Sequence, residues 1–210
     1  MRTRTKGRQL AAAIVLCVAT ARADDASSTA AAVRDALACC ESADDVPVAE
    51  RMTVLARGLR RAEDAVELDP RDARAHFAMF CNLGKRVQMR RQAVGVGAIL
   101  IDLARARREI DYALELAPSY PDALAAKGQM LIELPRLLGG DHVEGVRLLQ
   151  AAVRLVPDDA RMRVMLATSL AADGARAEAL EQATVAVQLL AQAGRDRELA
   201  VARGLVADLR

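Results

Sequence analysis

Imidazole and thiol groups are where a chain of this size could ligate a metal or attack a substrate, and both are scarce here. The histidines are His76 and His142. Neither has a second histidine at ligand spacing, and Cys81, five positions after His76, falls on a different face of a 3.6-residue helix. His142 follows Asp141 in a loop context that favours solvation. No GxxxxGK[ST], HExxH or GxSxG run occurs, so the spacing chemistry of phosphate loops, zinc proteases and serine hydrolases is not written in the chain. Gly95-Val96-Gly97 lacks the third glycine of a dinucleotide loop and follows no strand, so it reads as a hinge at a helix start. No catalytic residue, metal site or cofactor is expected.

The thiols are Cys17, Cys39, Cys40 and Cys81. Adjacent Cys39 and Cys40 cannot readily bridge each other, so an oxidised pair would involve Cys81 and leave one thiol over. The alternative, which we prefer, is that they are small apolar fillers of helix faces. Arg86, Arg90, Arg91, Arg105, Arg107 and Arg108 cluster in sequence. They form either a solvated face or a surface for a carboxylate ligand or acidic partner. The aromatic residues are Phe77, Phe80, Tyr112 and Tyr120, a set that reads as core or as the lining of a groove.

The composition limits what can position these groups. Over half of the 210 residues are apolar, yet only 2% are aromatic; alanine, leucine and arginine dominate, which favours helices over a sandwich or barrel. High apolar content with a near-zero net charge excludes a disordered chain. Five basic residues (Arg2, Arg4, Lys6, Arg8 and Arg22) precede position 24, where there is no acid, leaving 25 basic against 28 acidic residues thereafter. Without a positive surplus there is no basis for nucleic-acid binding.

Residues 1–23 have a three-part secretory pattern: a basic start, the apolar run Leu10–Thr20, and Ala21-Arg22-Ala23 as a small-residue cleavage site. Eleven apolar residues at ~1.5 Å each span about half of a ~30 Å hydrocarbon core, too little for an anchor. Leu16 before Cys17 places a bulky residue where a lipobox needs a small one, so a lipoprotein is not expected. The expected organisation is a signal peptide over 1–23 and a helical domain over 24–210, in the periplasm, with no membrane span after cleavage.

One phrase recurs: Ala65-Val66-Glu67-Leu68-Asp69-Pro70, Ala113-Leu114-Glu115-Leu116-Ala117-Pro118 and Ala152-Val153-Arg154-Leu155-Val156-Pro157. Alanine admits a neighbouring helix, leucine fills the seam, and proline stops the helix. Acids or hydroxyls follow (Asp72, Ser119, Asp158, Asp159) and are expected to cap the next helix. These residues, with Gly174 at a turn and Ala167, Leu170, Ala179 and Ala186 at small and large positions around it, resemble the tetratricopeptide repeat (TPR) family. The spacings Pro70 to Pro118 and Pro118 to Pro157 are 48 and 39 residues, longer than the family's period of about 34. The central helices are therefore expected to be lengthened.

Ala75-His76-Phe77-Ala78-Met79-Phe80, Leu83-Gly84-Lys85 and above all Leu134-Pro135-Arg136-Leu137-Leu138-Gly139-Gly140-Asp141 resemble, more narrowly, the T-component proteins of TRAP transporters, periplasmic helical-repeat proteins. The fold expected is all-α, a TPR-like α-solenoid of antiparallel helix pairs. About nine helices are expected, at Ser27–Cys40, Val48–Leu68, Asp72–Arg91, Gly95–Leu116, Tyr120–Leu134, a sixth capped by Asp141 with Glu144 three residues on, Asp158–Asp173, Arg176–Leu190 and a closing Asp196–Leu209.

The resemblance implies a scaffold that binds a protein partner through a concave groove, without catalysis. The expected groove runs through His76, Phe77, Phe80, Asn82 and Tyr112 and continues through Tyr120, Lys127 and Met130. In the turn Pro135, Gly139, Gly140, Asp141, the two glycines are expected to take positive φ. A partner-contact edge is the functional reading of that turn. The narrower resemblance implies, alternatively, an accessory subunit of a TRAP-type system that binds a small organic ligand and meets a periplasmic solute-binding protein.

Overall fold

The computed structural model of the chain describes residues 26–90 and 96–210. The expected signal peptide and Gly95 lie outside them. Among the described residues there are nine α-helices and no strand: α1 (26–42), α2 (Val48–Leu68), α3 (Ala73–Arg90), α4 (Val96–Leu116), α5 (Pro121–Glu133), α6 (His142–Leu155), α7 (Ala160–Ala172), α8 (Arg176–Gln192) and α9 (Asp196–Asp208). The all-helical, TPR-like α-solenoid class is the one the sequence implied. No described helix is long and apolar enough to cross a membrane. The chain divides into two compact units, Met1–Leu116 and Ala117–Arg210.

In the first unit, α3 packs against both α2 and α4. Helix α2 buries one stripe, Leu55, Gly58, Leu59, Ala62 and Ala65, the i, i+3, i+4 spacing of a helix with one wet face. Helix α3 differs: Ala75 through Phe80 are buried without interruption, followed by Asn82, Leu83 and Val87. Over Ala75–Phe80 the helix is covered on every side, as befits an element packed between two neighbours. It starts where Pro70 ends α2, and the Asp72 carboxylate accepts from Arg74 N at 2.8 Å, satisfying an orphan amide of the first turn.

In the second unit, α5 pairs with α6, α7 with α8, and α9 lies on α8. Helices α5 and α6 meet glycine to glycine. A Cβ on Gly128 would fall 2.8 Å from Gly145 O, and one on Gly145 would fall 2.7 Å from Gly128 O. The α7–α8 and α8–α9 turns repeat one design: Ala175 N donates to Leu170 O at 2.9 Å and Arg195 N to Leu190 O at 3.1 Å, the six-to-one bond that closes a Schellman turn. Asp159 caps α7 by accepting from Met162 N at 3.1 Å. Ser119 caps nothing: Tyr120 occupies the N-cap position of α5 without a side-chain bond and Pro121 starts the helix, a start that needs no donor satisfied at N1. Alanines fill the closing seam, with Ala186 and Ala202 fully buried beside Leu190 and Leu199.

Candidate functional site

The first half of the expected groove is interior. His76, Phe77, Phe80 and Asn82 are all buried, because α3 is wrapped by its neighbours and has no open face along this stretch. This corrects the expectation that they line a solvent-facing groove. His76 is a joint: Nδ1 lies 2.7 Å from Glu109 Oε2 on α4 and Nε2 lies 3.0 Å from the carbonyl of Pro70. Both ring nitrogens thus have an oxygen partner, one on the neighbouring helix and one in the turn before α3. Tyr112, one helical turn from Glu109, sets its ring edge-on to the imidazole at 4.6 Å and is exposed beyond it. Phe77 and Phe80 stack on each other with centroids 6.4 Å apart.

Asn82 is fully buried and donates through Nδ2 to Ala36 O on α1 at 3.0 Å and to Ala78 O at 2.9 Å. Its Oδ1 has no hydrogen-bond partner among the described residues. The basic cluster is largely engaged in structure. Arg86 and Arg90 both meet Asp102 on α4, at 3.3 and 2.9 Å, and Arg105 reaches Glu63 on α2 at 2.7 Å. These cations are neutralised within the unit, so this part of the cluster is not a free anion site.

The α5–α6 turn is the sequence-marked site that stands in the open. Pro135 takes φ −58° and ψ 148°, Arg136–Leu138 make a 3₁₀ turn that the sequence did not announce, and Gly139 closes it at φ +75°. The structure corrects the role of Gly140: its φ is not positive. It is required by contact instead, since a Cβ there would collide with Leu134 O. Gly140 N donates to Pro135 O at 3.1 Å and Asp141 N to Leu131 O at 3.0 Å. Asp141 Oδ1 accepts from Glu144 N at 3.1 Å. Only half of the capping box forms, because the Glu144 carboxylate takes both Arg147 nitrogens, at 2.6 and 2.5 Å. That fork holds the Glu144 carboxyl below its ordinary range.

From this pinned backbone Leu137 projects at 99% exposure and Val143 at 80%, with Leu138 exposed beside them. Apolar side chains held out by a turn with so few free backbone groups are the feature of the chain that most resembles a contact edge. The signal was in the sequence as the two leucines between Pro135 and Gly139. His142 Nδ1 lies 3.3 Å from Asp173 Oδ1 at the end of α7, tying the turn to the next hairpin rather than to solvent alone.

Tyr120, Lys127 and Met130 are half-buried on and before α5. They belong to the second unit, whereas the α3 residues belong to the first. Arg161 at the start of α7 bonds Asp122 at the start of α5 at 2.5 Å, joining the first helices of successive hairpins. Among the described residues no group of three or more histidine, cysteine, aspartate or glutamate side chains is placed to hold a metal ion.

No protein-family model matches the chain, and no curated protein matches it. Solved structures do. A thermophilic TPR protein of Thermus thermophilus, TTC0263, superimposes with a TM-score of 0.58 at 22% identity, covering 75% of each chain. Pseudomonas aeruginosa PilF superimposes at 0.53 with 17% identity, over 89% of this chain and 78% of its own. At these identities the likeness establishes the TPR-like fold.

Proposed function

We propose that this chain is an exported scaffold that binds another protein through the α5–α6 turn and the adjoining wall of α5 and α7, with no chemistry of its own. The observation that carries the reading is Leu137, an apolar side chain 99% exposed on a turn whose backbone is held by Pro135, Gly139, Gly140 and Asp141. A pre-organised apolar contact loses little conformational entropy on binding. The stacked hairpins supply a continuous support for it, and Lys127, Met130 and Met165 of the flanking helices offer half-exposed side chains for a partner's segment. Export rests on the signal-like pattern of residues 1–23.

The test is affinity capture from a periplasmic extract with residues 24–210 as bait, compared with the same bait carrying Leu137→Asp and Val143→Asp. Both replaced side chains are exposed, so the fold is expected to survive. At least one protein held by the parent and lost by the variant is expected; equal capture by both would remove the turn from the interface. A second reading, an accessory subunit of a TRAP-type uptake system, draws support from the segment Leu134–Asp141. It requires a periplasmic solute-binding protein among the captured partners.

A further inference from the structure

The adjacent cysteines of α1 look opposite ways. Cys39 faces α2: Arg57 Nε donates to its Sγ at 3.4 Å, and a Cβ on Gly58 would fall 2.7 Å from its Cβ. Cys40 faces α3. Its thiol is in hydrogen-bond contact with the thiol of Cys81, and its carbonyl accepts from Lys85 Nζ at 2.7 Å. Lys85 lies one helical turn beyond Cys81, and its ammonium also pairs with Asp44. One turn back along α1, the Ala36 carbonyl accepts from Asn82. Helix α1 and the turn that follows it are thus laced to α3 by Ala36–Asn82, Cys40–Cys81 and Asp44–Lys85, with the two sulfurs at the middle of the lacing. Cys40 is buried, whereas Cys81 is only partly so.

We propose that Cys40 and Cys81 are a disulfide-forming pair, which staples α1 to α3 by exchange with a small-molecule disulfide such as oxidised glutathione. The half-exposed Cys81 reacts first. It gives its proton to solvent, its sulfur bonds one glutathione sulfur, the glutathione disulfide breaks, and the released glutathione thiolate takes up a proton. The Cys40 thiolate, its proton likewise passed to solvent, then attacks Cys81 Sγ and expels the second glutathione, which is protonated in turn. The two cysteines lose two electrons and two protons, and oxidised glutathione gains them. The two thiols are already hydrogen-bond partners across the α1–α3 seam, which the Ala36–Asn82 and Cys40–Lys85 bonds hold closed on either side, so the proposed bond is expected to form by side-chain rotation. The hydrogen bond from Cys81, with the Lys85 ammonium alongside, lowers the Cys40 thiol below its ordinary range despite burial, which suits the resolving role. Cys39 has no part in the exchange: it is turned toward Arg57.

The experiment uses the full chain carrying Cys17→Ser, folded and incubated with oxidised glutathione, then alkylated and mapped by peptide mass spectrometry. Two of the three remaining thiols should disappear, with a mass loss of about 2 Da relative to the reduced chain. The linked peptides should pair the Cys39-Cys40 segment with that of Cys81. A Cys39→Ser variant should oxidise like the parent, which assigns the link to Cys40, and Cys81→Ser should form no intrachain disulfide. The oxidised chain should melt at a higher temperature than the reduced one, and dithiothreitol should reverse this. Three surviving thiols, a glutathione adduct on Cys81 that never resolves, or loss of the link in Cys39→Ser would each overturn the proposal. Circular dichroism of each variant confirms that it is folded, and the Cys39→Ser result decides the matter even if Cys81→Ser is not.

Discussion

His76 Nδ1 on α3 and Glu109 Oε2 on α4 stand 2.7 Å apart, with the other ring nitrogen held by the Pro70 carbonyl. One buried side chain thus fixes the position of α4 and of the turn that precedes its own helix. Replacing His76 by Ala leaves a carboxylate almost buried and unpaired, and breaking a buried pair from one side costs about 3 kcal/mol. Urea unfolding of His76→Ala should show a fall of that order, and Glu109→Ala a similar one, with the double variant losing less than the sum. Additive losses would mean that the two groups do not depend on each other.

Phe77 and Phe80 are buried and stacked, so their truncation should act on stability first. Phe to Ala in a core costs about 3–5 kcal/mol. Each variant should unfold at markedly lower denaturant concentration. A full-strength fold in Phe77→Ala would return that ring to the surface and reopen the α3 groove.

The α5–α6 turn separates packing from display. Gly140→Ala would force a Cβ against Leu134 O and should cost at least about 2 kcal/mol. Leu137→Ala removes an exposed side chain and should stay within about 0.5 kcal/mol. Thermal unfolding of the two variants side by side checks the contrast; equal effects would contradict the geometry of the turn.

Glu144 has its carboxyl lowered chiefly by the hydrogen-bonded fork of Arg147, with Lys127 adding to it. A carboxyl lower in the folded state than in the unfolded one stabilises the fold above the ordinary carboxylate range, near ~4.3, and loses that contribution as pH falls through the folded value. Arg147→Ala should therefore move the Glu144 titration upward toward that range, read by the carboxyl carbon shift in NMR. An unmoved midpoint would show that the fork is not formed in solution.

Much of the fold could be read from local chemistry. The prolines after Leu68, Leu116 and Leu155 mark true helix ends, and Asp72, Asp141 and Asp159 cap as carboxylates at those positions should. What escaped depends on pairs of elements. Ser119 has the chemistry of a cap, but Pro121 starts α5 without one. Apart from His76, the stretch from Ala75 to Phe80 carries no ionisable side chain, and that nearly unbroken apolar run is the sign of a helix stretch buried on all faces. Giving it one wet side is what puts Phe77 and Phe80 in a groove. The need for Gly140 was legible and its cause was not, since only the folded turn brings Leu134 O beneath it. Direction around α1 was equally hidden: sequence adjacency of Cys39 and Cys40 says nothing of which one meets Cys81.

The touching backbones of Gly128 and Gly145 give the α5–α6 hairpin an unusual sensitivity. Each carbonyl rests in the space that the other residue's absent methyl would fill, so a methyl introduced on either side must lever the hairpin open. Once it is opened, a second methyl opposite finds part of its room already made. Drift at the two positions is consequently conditional: what is intolerable alone becomes tolerable in company, and the width of the hairpin can change only as a joint event.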